Sequence, residues 1–439
     1  MAGNYRGIHL TSILSKTAEK FIGEPLIRFL QNGKFGKNQW AFTPGLSSRD
    51  LVTALILSWI LCICSGKKIA AYLSDITGAF DRVFKDFLLA KLYAAGVGTQ
   101  YLNFLDSYLQ PRQGKVIVEG VASDIFAIAD TVFQGTVLGP CLWNVFFSDV
   151  AVPASSTGGE EAMFADDLNV FKKYDRSTQD AFIKGEMAVC RARVHKWGRA
   201  NRVSFDPNKE HIVIVHPIHA NGDPFKLLGC MVDCKLRMDQ AIDRILIQIR
   251  PKIRAILRTR KYYPANVLIN QFKTHVWSLM EIHNGAIFHA STTLFEKIDS
   301  VQRSFLHELE ITEECAFIDY NFAPHTLRRN IGILGLLQKR VLGKTHVIYQ
   351  RLLPFVHDVF GFLREGEHNK QLYSHCLEIH YQQELWKRSI FCMTDVYNRL
   401  PQHVVDIPNV SNFQTALTHI ARTACQNGNA EWQSSFTSR

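Results

Sequence analysis

Apolar and polar residues alternate along this chain with several different periods, and each period assigns an element. Leu51 to Cys64 is a 14-residue apolar run interrupted only by Thr53 and Ser58, which reads as a buried helix closed by Ser65-Gly66. Lys68-Ile-Ala-Ala-Tyr-Leu-Ser-Asp75 is short and apolar enough for a buried strand. Pro111 and Gly114 punctuate a hairpin containing Lys115-Val-Ile-Val-Glu119, and Gly158-Gly159 leads into a second hairpin, Glu161 to Phe171, whose apolar flanks bracket Asp166 and Asp167. Ile183, Met187, Cys190, Val194 and Trp197 recur at three- and four-residue steps after Ser177-x-x-Asp180, predicting a helix with a capping-box start and an apolar stripe laid on a sheet. Arg202–Phe205 and His211–Val215 read as two strands joined by a turn over Asp206–Lys209. Ile242, Ile245, Ile249, Ile253 and Ile256 mark one helical face, which Pro251 should break or kink near Arg250. Strand, acidic hairpin, helix and strands in this order make an α+β sheet with helices on one face.

A chain of 439 residues exceeds one ordinary core, so two or three subdomains are expected; no internal repeat or long Pro/Ser linker separates them. With 47% hydrophobic and 21% charged residues it is neither a disordered tail nor a fibrous repeat. A formal charge of +10 favours a polyanionic partner, and the charge is unevenly placed. Asp106 to Asp167 holds nine acidic and two basic residues, whereas Arg244 to Lys273 holds eight basic residues and no acid. That division suits an enzyme gathering metal ions at one place and phosphates at another. The longest apolar run is shorter than the ~18 residues a membrane helix needs, so no membrane partner is expected. The first six residues lack the order of a secretory signal, which predicts an intracellular location, nucleus or cytoplasm. Ten scattered cysteines agree; Cys62, Cys64, Cys230 and Cys234 read as buried thiols rather than zinc ligands. His211, His216 and His219 read as surface histidines on a strand and the loop after it.

Two acidic motifs stand about ninety residues apart: Ser74-Asp75-Ile76-Thr77-Gly78-Ala79-Phe80-Asp81, closing a buried strand, and Phe164-Ala165-Asp166-Asp167, at a hairpin tip. Carboxylates among apolar residues are costly unless they meet a cation, and hard oxygen ligands imply Mg²⁺ or Mn²⁺. If the strands are sheet neighbours, Asp75 and Asp166 can hold two ions ~3.5–4 Å apart, the arrangement of phosphoryl transfer.

In order and spacing, these motifs resemble the reverse transcriptase of non-LTR (LINE-type) retrotransposons over nearly the whole chain. Asn4-Tyr-Arg-Gly-Ile-His-Leu-Thr11 with Ser15, Lys16 and Glu19 resembles that family's fingers motif, and Gln39-Trp-Ala-Phe-Thr-Pro-Gly45 its Q-x-G-F-x-x-G element. Ser74 to Val83 is similar to the first palm motif, Phe133-Gln-Gly-Thr-Val-Leu-Gly-Pro140 to P-Q-G-[ST]-V-L-G-P, Phe164 to Asp167 to [FY]-A-D-D, and Phe205 to Lys209 to the element ending in lysine. Leu227-Leu228-Gly229 resembles the primer-grip segment and Tyr397 to Pro401 the W-N-x-L-P motif.

The resemblance implies a right-hand polymerase: a fingers remnant over 1–66, a palm over 67–240, a helical thumb over 241–345, and a helical region of unassigned role over 346–439. It implies RNA-directed DNA polymerase activity by two-metal-ion catalysis, with RNA template, DNA primer and deoxynucleoside triphosphates as partners and no protein partner indicated. Asp75 and Asp166, with the Ile76 carbonyl, would bind metal, and Asp167 would be auxiliary. Phe80 would exclude a 2′-hydroxyl by clash. Gln134 and Gly135 would line the incoming nucleotide, Arg6 would meet its triphosphate, and Lys209 would serve as general acid or charge partner. Arg250, Lys252, Arg254, Arg258, Arg260 and Lys261 would follow the nucleic-acid backbone. Two departures stand out: Gly7 replaces a proline, which should loosen the fingers strand, and Phe133 replaces the proline before Gln134, which should leave that turn less pre-set. The chain opens at the motif of Arg6, so upstream fingers elements and an endonuclease are expected to be missing. The alternative expectation is a catalytically inactive, nucleic-acid-binding remnant of a decayed element; an intron-maturase protein would share the palm motifs.

Overall fold

The computed structural model describes residues 10–76, 78–128, 132–361, 368–375 and 379–438. Arg6 and Gly7 lie outside the described residues. The chain forms two compact units that exchange segments: Met1–Leu46, Ala70–Lys173 and Thr178–Val213 make the first, and Ser47–Ile69, Tyr174–Ser177 and Ile214–Arg439 the second.

In the first unit, helix α1 (Ile13–Gln31) precedes the loop around Gln39; α2 (Ser48–Cys64) belongs to the second unit. Strand β1 (Lys67–Ser74) is buried from Lys68 to Ser74 and is followed by a 3-10 turn, Ala79–Arg82, and by helices α3 (Lys85–Ala94) and α4 (Thr99–Tyr108). The expected hairpin after Pro111 is two short ladders, β2 (Arg112–Gly114) with β5 (Phe126–Ile128) and β3 (Ile117–Val118) with β4 (Val121–Ala122). Helix α5 (Gly139–Phe147) and the short α6 (Ala151–Ser155) lead into β6 (Glu160–Phe164) and β7 (Asp167–Asp175), then α7 (Asp180–Ala200) and β8 (His211–Val215). The sheet order is β6-β7-β1-β8, so the two acidic motifs sit on adjacent strands.

Three local expectations are corrected. Helix α7 begins at Asp180 with Gln179 as its N-cap, not at Ser177, because β7 runs on to Asp175 and the chain needs two more residues to turn; Asp180 then lies in the first turn, where a negative charge complements the helix dipole. Arg202–Phe205 is not a strand: only Phe205 bridges, to Ile76, while the arginine at 202 takes a positive φ of 59° and stacks over Phe84 at 3.9 Å. His216 is fully buried rather than on the surface, since its Nδ1 accepts the backbone N–H groups of Ile218 and His219 at 3.1 and 3.0 Å and so closes the loop over itself.

In the second unit, α2 is apolar on every side and is buried accordingly. Ser47 caps it by accepting Asp50 N–H, and Asp50 in turn binds Lys339 at 2.9 Å. Strands β9 (Phe225–Leu227) and β10 (Cys230–Val232) form a hairpin whose two turn residues, Leu228 and Gly229, both have positive φ. Helix α8 (Asp239–Arg258) buries all five isoleucines of the expected face and continues unbroken through Pro251, which corrects the expectation of a break there. The carbonyl that Pro251 cannot bond is that of Ile247, a residue on the exposed face of the helix, while the isoleucine stripe anchors both halves. The described elements that follow are helices, α9 (Ala265–Phe272) first, with one isolated bridge between Phe355 and Leu372. Among the described residues no helix is long and apolar enough to cross a membrane.

Candidate active site

Asp75 follows the last residue of β1, and Asp166 occupies the tip of the β6–β7 hairpin, closed by the pair Phe164–Asp167. The carboxylate of Asp75 holds the ammonium of Lys209, and Asp206 lies 3.9 Å from the same nitrogen. The hydrogen bond that Lys209 donates to Asp75, joined by the charges of Asp75, Asp206 and Asp166, raises the lysine's pKa above its ordinary range. Asp75 and Asp206, 131 positions apart in sequence, thus meet at one cation, and the hairpin bearing Asp166 lies on the strand next to that of Asp75. The turn carrying Lys209 is docked on the strand end: Asp206 N–H donates to the Asp75 carbonyl at 3.0 Å, beside the Ile76–Phe205 bridge. The hydrogen bond described at this bridge thus falls on the carbonyl of Asp75 and not on that of Ile76. Glu210, next along, anchors the sheet by accepting from Tyr72 Oη at 2.5 Å and pairing with His195 at 2.7 Å.

The hairpin tip is strained. Ala165 has φ +56°, a region that costs a residue with a Cβ about 1 kcal/mol. Its peptide groups are gripped by side chains from elsewhere: Gln39 Oε1 accepts Ala165 N–H at 3.1 Å, and Trp143 Nε1 donates to the Ala165 carbonyl at 3.0 Å. The Gln39 loop is laid along β6 by Trp40 N–H to the Met163 carbonyl and Met163 N–H to the Asn38 carbonyl, both 2.9 Å. Asn144, fully buried on α5, donates to the Ala41 carbonyl at 2.9 Å.

Phe80 sits in the 3-10 turn after β1, half-buried and stacked on Trp143 with centroids 5.8 Å apart; its carbonyl accepts Val132 N–H at 2.9 Å. That bond ties the Phe80 turn to the loop bearing Gln134 and Gly135. Gln134 is half-buried and Gly135 exposed, with φ +76° that only glycine adopts cheaply. Phe133 does not leave this turn loose as its missing proline suggests: Thr136 Oγ1 donates to the Phe133 carbonyl at 2.6 Å, and Arg112 packs over the Phe133 ring at 4.0 Å. A Cβ at Gly139 would stand 2.7 Å from that Thr136 oxygen, so the close approach requires glycine. Buried Glu19, from α1, completes the loop by accepting Val137 N–H at 2.6 Å and Tyr108 Oη–H at 2.8 Å.

The sequence reading named Asp75, Ile76, Phe80, Gln134, Gly135, Asp166, Asp167 and Lys209, and all lie in the first unit on segments joined by these bonds. It gave no role to Glu19, Gln39 or Trp143. The first two stood inside quoted motifs, but nothing in their spacing reveals that their side chains close on backbone groups over a hundred residues away.

In the second unit a cleft of about 790 Å³ runs between α8 and the helix Thr292–His307, lined by Arg250, Arg254, Lys297, Arg303, His307 and Glu308 among others. Arg250 and Arg254 have no acidic partner among the described residues, whereas Lys297 lies 3.8 Å from Asp243 and Arg303 binds Glu296. Lys252 and Arg258 are exposed on α8 outside this lining; Arg260 pairs with Glu308 at 3.6 Å, and Lys261 is exposed in the turn that follows.

Residues 1–232 match the family model described as reverse transcriptase (RNA-dependent DNA polymerase). The chain is similar to a probable RNA-directed DNA polymerase from transposon X-element of Drosophila melanogaster, 25% identical over 266 residues, 57% of this chain and 29% of that protein. It is also similar to the RNA-directed DNA polymerase from mobile element jockey of the same species, 40% identical over 197 residues, 41% of this chain and 21% of that protein. The aligned stretches thus span less than a third of these relatives. Apo telomerase from Candida tropicalis shares 12% identity over 75% of this chain and 55% of its own, with a TM-score of 0.39, too low to add to the family match. That match covers more than half of the chain and agrees with the mobile-element relatives: the chain belongs to the reverse transcriptase family, in its non-LTR, LINE-type branch, and its α+β fold with a helical C-terminal region is of the right-hand polymerase class.

Proposed function

We propose that this chain is the polymerase of a non-LTR retrotransposon, joining deoxynucleotides to a primer 3′-hydroxyl on an RNA template. The observation that carries the reading is the placement of the two acidic motifs on the adjacent strands β1 and β7, with Asp75 and Asp206 beside the Lys209 ammonium at the end of β1. Reverse transcriptases generally use divalent metal ions. The oxygen-only donors here fit Mg²⁺ or Mn²⁺, and the cation they already attract shows that positive charge is stabilised at this point. Asp75 and Asp166, with the Ile76 carbonyl, would hold two ions and Asp167 would assist; when bound, such ions lower the pKa of the attacking hydroxyl and neutralise charge on the departing phosphate oxygens.

The primer oxygen forms a bond to the α-phosphorus as the bond to the β-phosphate oxygen breaks, and pyrophosphate leaves. Lys209 stands beside Asp75, where its ammonium can donate a proton to, or balance the charge of, that leaving group. Gln134 and Gly135 shape the nucleotide side, and Phe80 crowds the 2′ position. Arg6 is assigned to the triphosphate on the family motif alone. Arg250 and Arg254 offer unpaired cations to the nucleic-acid backbone, with Lys252, Arg258, Arg260 and Lys261 along the same stretch. In these terms 1–66 belongs to the fingers, 67–240 serves as palm and 241–345 as thumb, with 346–439 unassigned. The nine described cysteines are free thiols, which suits an intracellular setting.

Primer extension by the purified chain on an RNA template in Mg²⁺ is the test. D75A and D166A should each reduce it below detection, and D167A should retain a measurable fraction. A folded D75A or D166A variant with wild-type turnover sinks the assignment; a wild-type chain that binds heteroduplex without extending it marks an inactive remnant.

A further inference from the structure

The acidic hairpin and the Phe80 turn share a neighbour. Trp143 is buried on α5, bonds the Ala165 carbonyl through Nε1, and presents the face on which Phe80 stacks, the two rings inclined by 28°. Two more aromatic rings, Phe146 and Phe147, lie within 5.9 and 5.4 Å of the indole, so it cannot move without disturbing the core of α5. Gln39 grips the other side of the same tip: its Oε1 takes both Ala41 N–H and Ala165 N–H at 3.1 Å, and its Nε2 reaches the Ala165 carbonyl at 3.4 Å. The N–H and C=O of one strained residue are thus both held by side chains from outside the hairpin. A hairpin tip that needed only to turn would use glycine or asparagine and its own backbone bonds.

Resting on the polymerase reading above, we infer that Gln39 and Trp143 are positioning residues: together they fix the hairpin tip that carries Asp166, and Trp143 also backs the Phe80 ring, so that one indole sets both the place of a carboxylate and the firmness of sugar selection. The two duties separate chemically. The carboxylate depends on the N–H donor, which phenylalanine lacks. The ring support depends on an aromatic face, which phenylalanine keeps and leucine or methionine does not. Without that face Phe80 can recede toward α5 and leave room for a 2′-hydroxyl.

The experiment compares wild type with Q39A, W143F, W143L and W143M, each checked for folding by thermal melt. Hydrogen exchange across Glu160–Asp167 reads the order of the hairpin without any turnover; loss of one hydrogen bond is expected to speed exchange there about fivefold in Q39A and in W143F. In primer extension both variants should lose kcat about tenfold or less while KM for deoxynucleotides changes little, because the nucleotide side is untouched. W143F should keep the wild-type ratio of ribonucleotide to deoxynucleotide incorporation, and W143L or W143M should raise it several-fold. In F80A the Trp143 substitutions should raise it no further. Unchanged exchange and kcat in both Q39A and W143F overturn the positioning role, and an unchanged sugar ratio in whichever of W143L and W143M folds overturns the support of Phe80. A wild-type chain that fails to extend primers overturns the polymerase reading and the sugar-selection half with it, while the exchange measurement still decides the positioning half.

Discussion

Lys209 is half-exposed in a turn, yet its ammonium is held by a carboxylate 134 positions earlier in the chain. Its substitution therefore has two opposed consequences. In K209M the leaving group loses a proton donor or counter-charge, and extension should slow by about ten- to a hundredfold. The same change frees Asp75 from a competing cation, so the Mg²⁺ concentration giving half-maximal rate should fall. Titrating extension against Mg²⁺ checks both, and a variant unchanged in each returns Lys209 to the role of a solvated turn residue. The residue types at this site were readable in sequence because acids and glycines at fixed spacing are rare among apolar neighbours. What they touch was not. Glu19 looks like any polar position on a helix, and only the folded chain shows its carboxylate accepting Val137 N–H.

Among the elements, α8 separates what periodicity can settle from what it cannot. Its 3.6-residue stripe was legible through all five isoleucines, but the expected break at Pro251 depends on where the freed carbonyl of Ile247 points, and that is a tertiary fact. Since the helix tolerates the proline only by giving up one hydrogen bond, P251A should stabilise the protein, by about 1–3 kcal/mol, measured by chemical denaturation. The opposite result would mean that the helix relies on a bend there. The cleft beside α8 was half legible: the sequence offered Arg250 and Arg254, but not Lys297, Arg303 or His307 from the facing helix. Replacing Arg250, Arg254 and Lys297 by glutamine should reduce the slope of log K against log salt for heteroduplex binding by about two to three units, if those cations meet phosphates. An unaltered slope would assign them to solvent. Helix α7 misled at its start because its first turn is set by how far β7 extends, to Asp175, and 202–205 misled because a single bridge at Phe205 and the positive φ of Arg202 leave no strand there.

At the scale of the whole molecule the α+β class was legible, whereas the adjacency of the acidic strands stood only as a condition and the exchange of segments between the two units was not legible, because contacts between distant segments leave no local period. Several buried histidines make the fold sensitive to acid. Burial and the nearby charges of His219, Arg176 and Lys68 push His216 down to about 4, and burial also lowers His325, which lies against Asp299 and Arg329. An unfolded histidine takes its proton near 6.5, so between about 6.5 and 4 the unfolded chain binds more protons and stability falls as pH falls. Asp299, held well below the carboxylate range mainly by His325 and Arg329 against its burial, adds a further loss only in stronger acid. The melting temperature should therefore drop from pH 7 to pH 5, and a flat profile would mean that these rings gain protons in the folded state. The order of synthesis gives the exchanged segments another meaning. Helix α2 is completed at Cys64, yet it packs on the helices Asn284–Ile287, Ile348–Leu352 and Gln383–Lys387. At about 5–20 residues per second, roughly a quarter of a minute to a minute passes before the last of these leaves the ribosome. For that interval a long apolar helix, buried along most of its length in the finished fold, has no complete berth, and its safe passage falls to the chaperones of the cell that makes it.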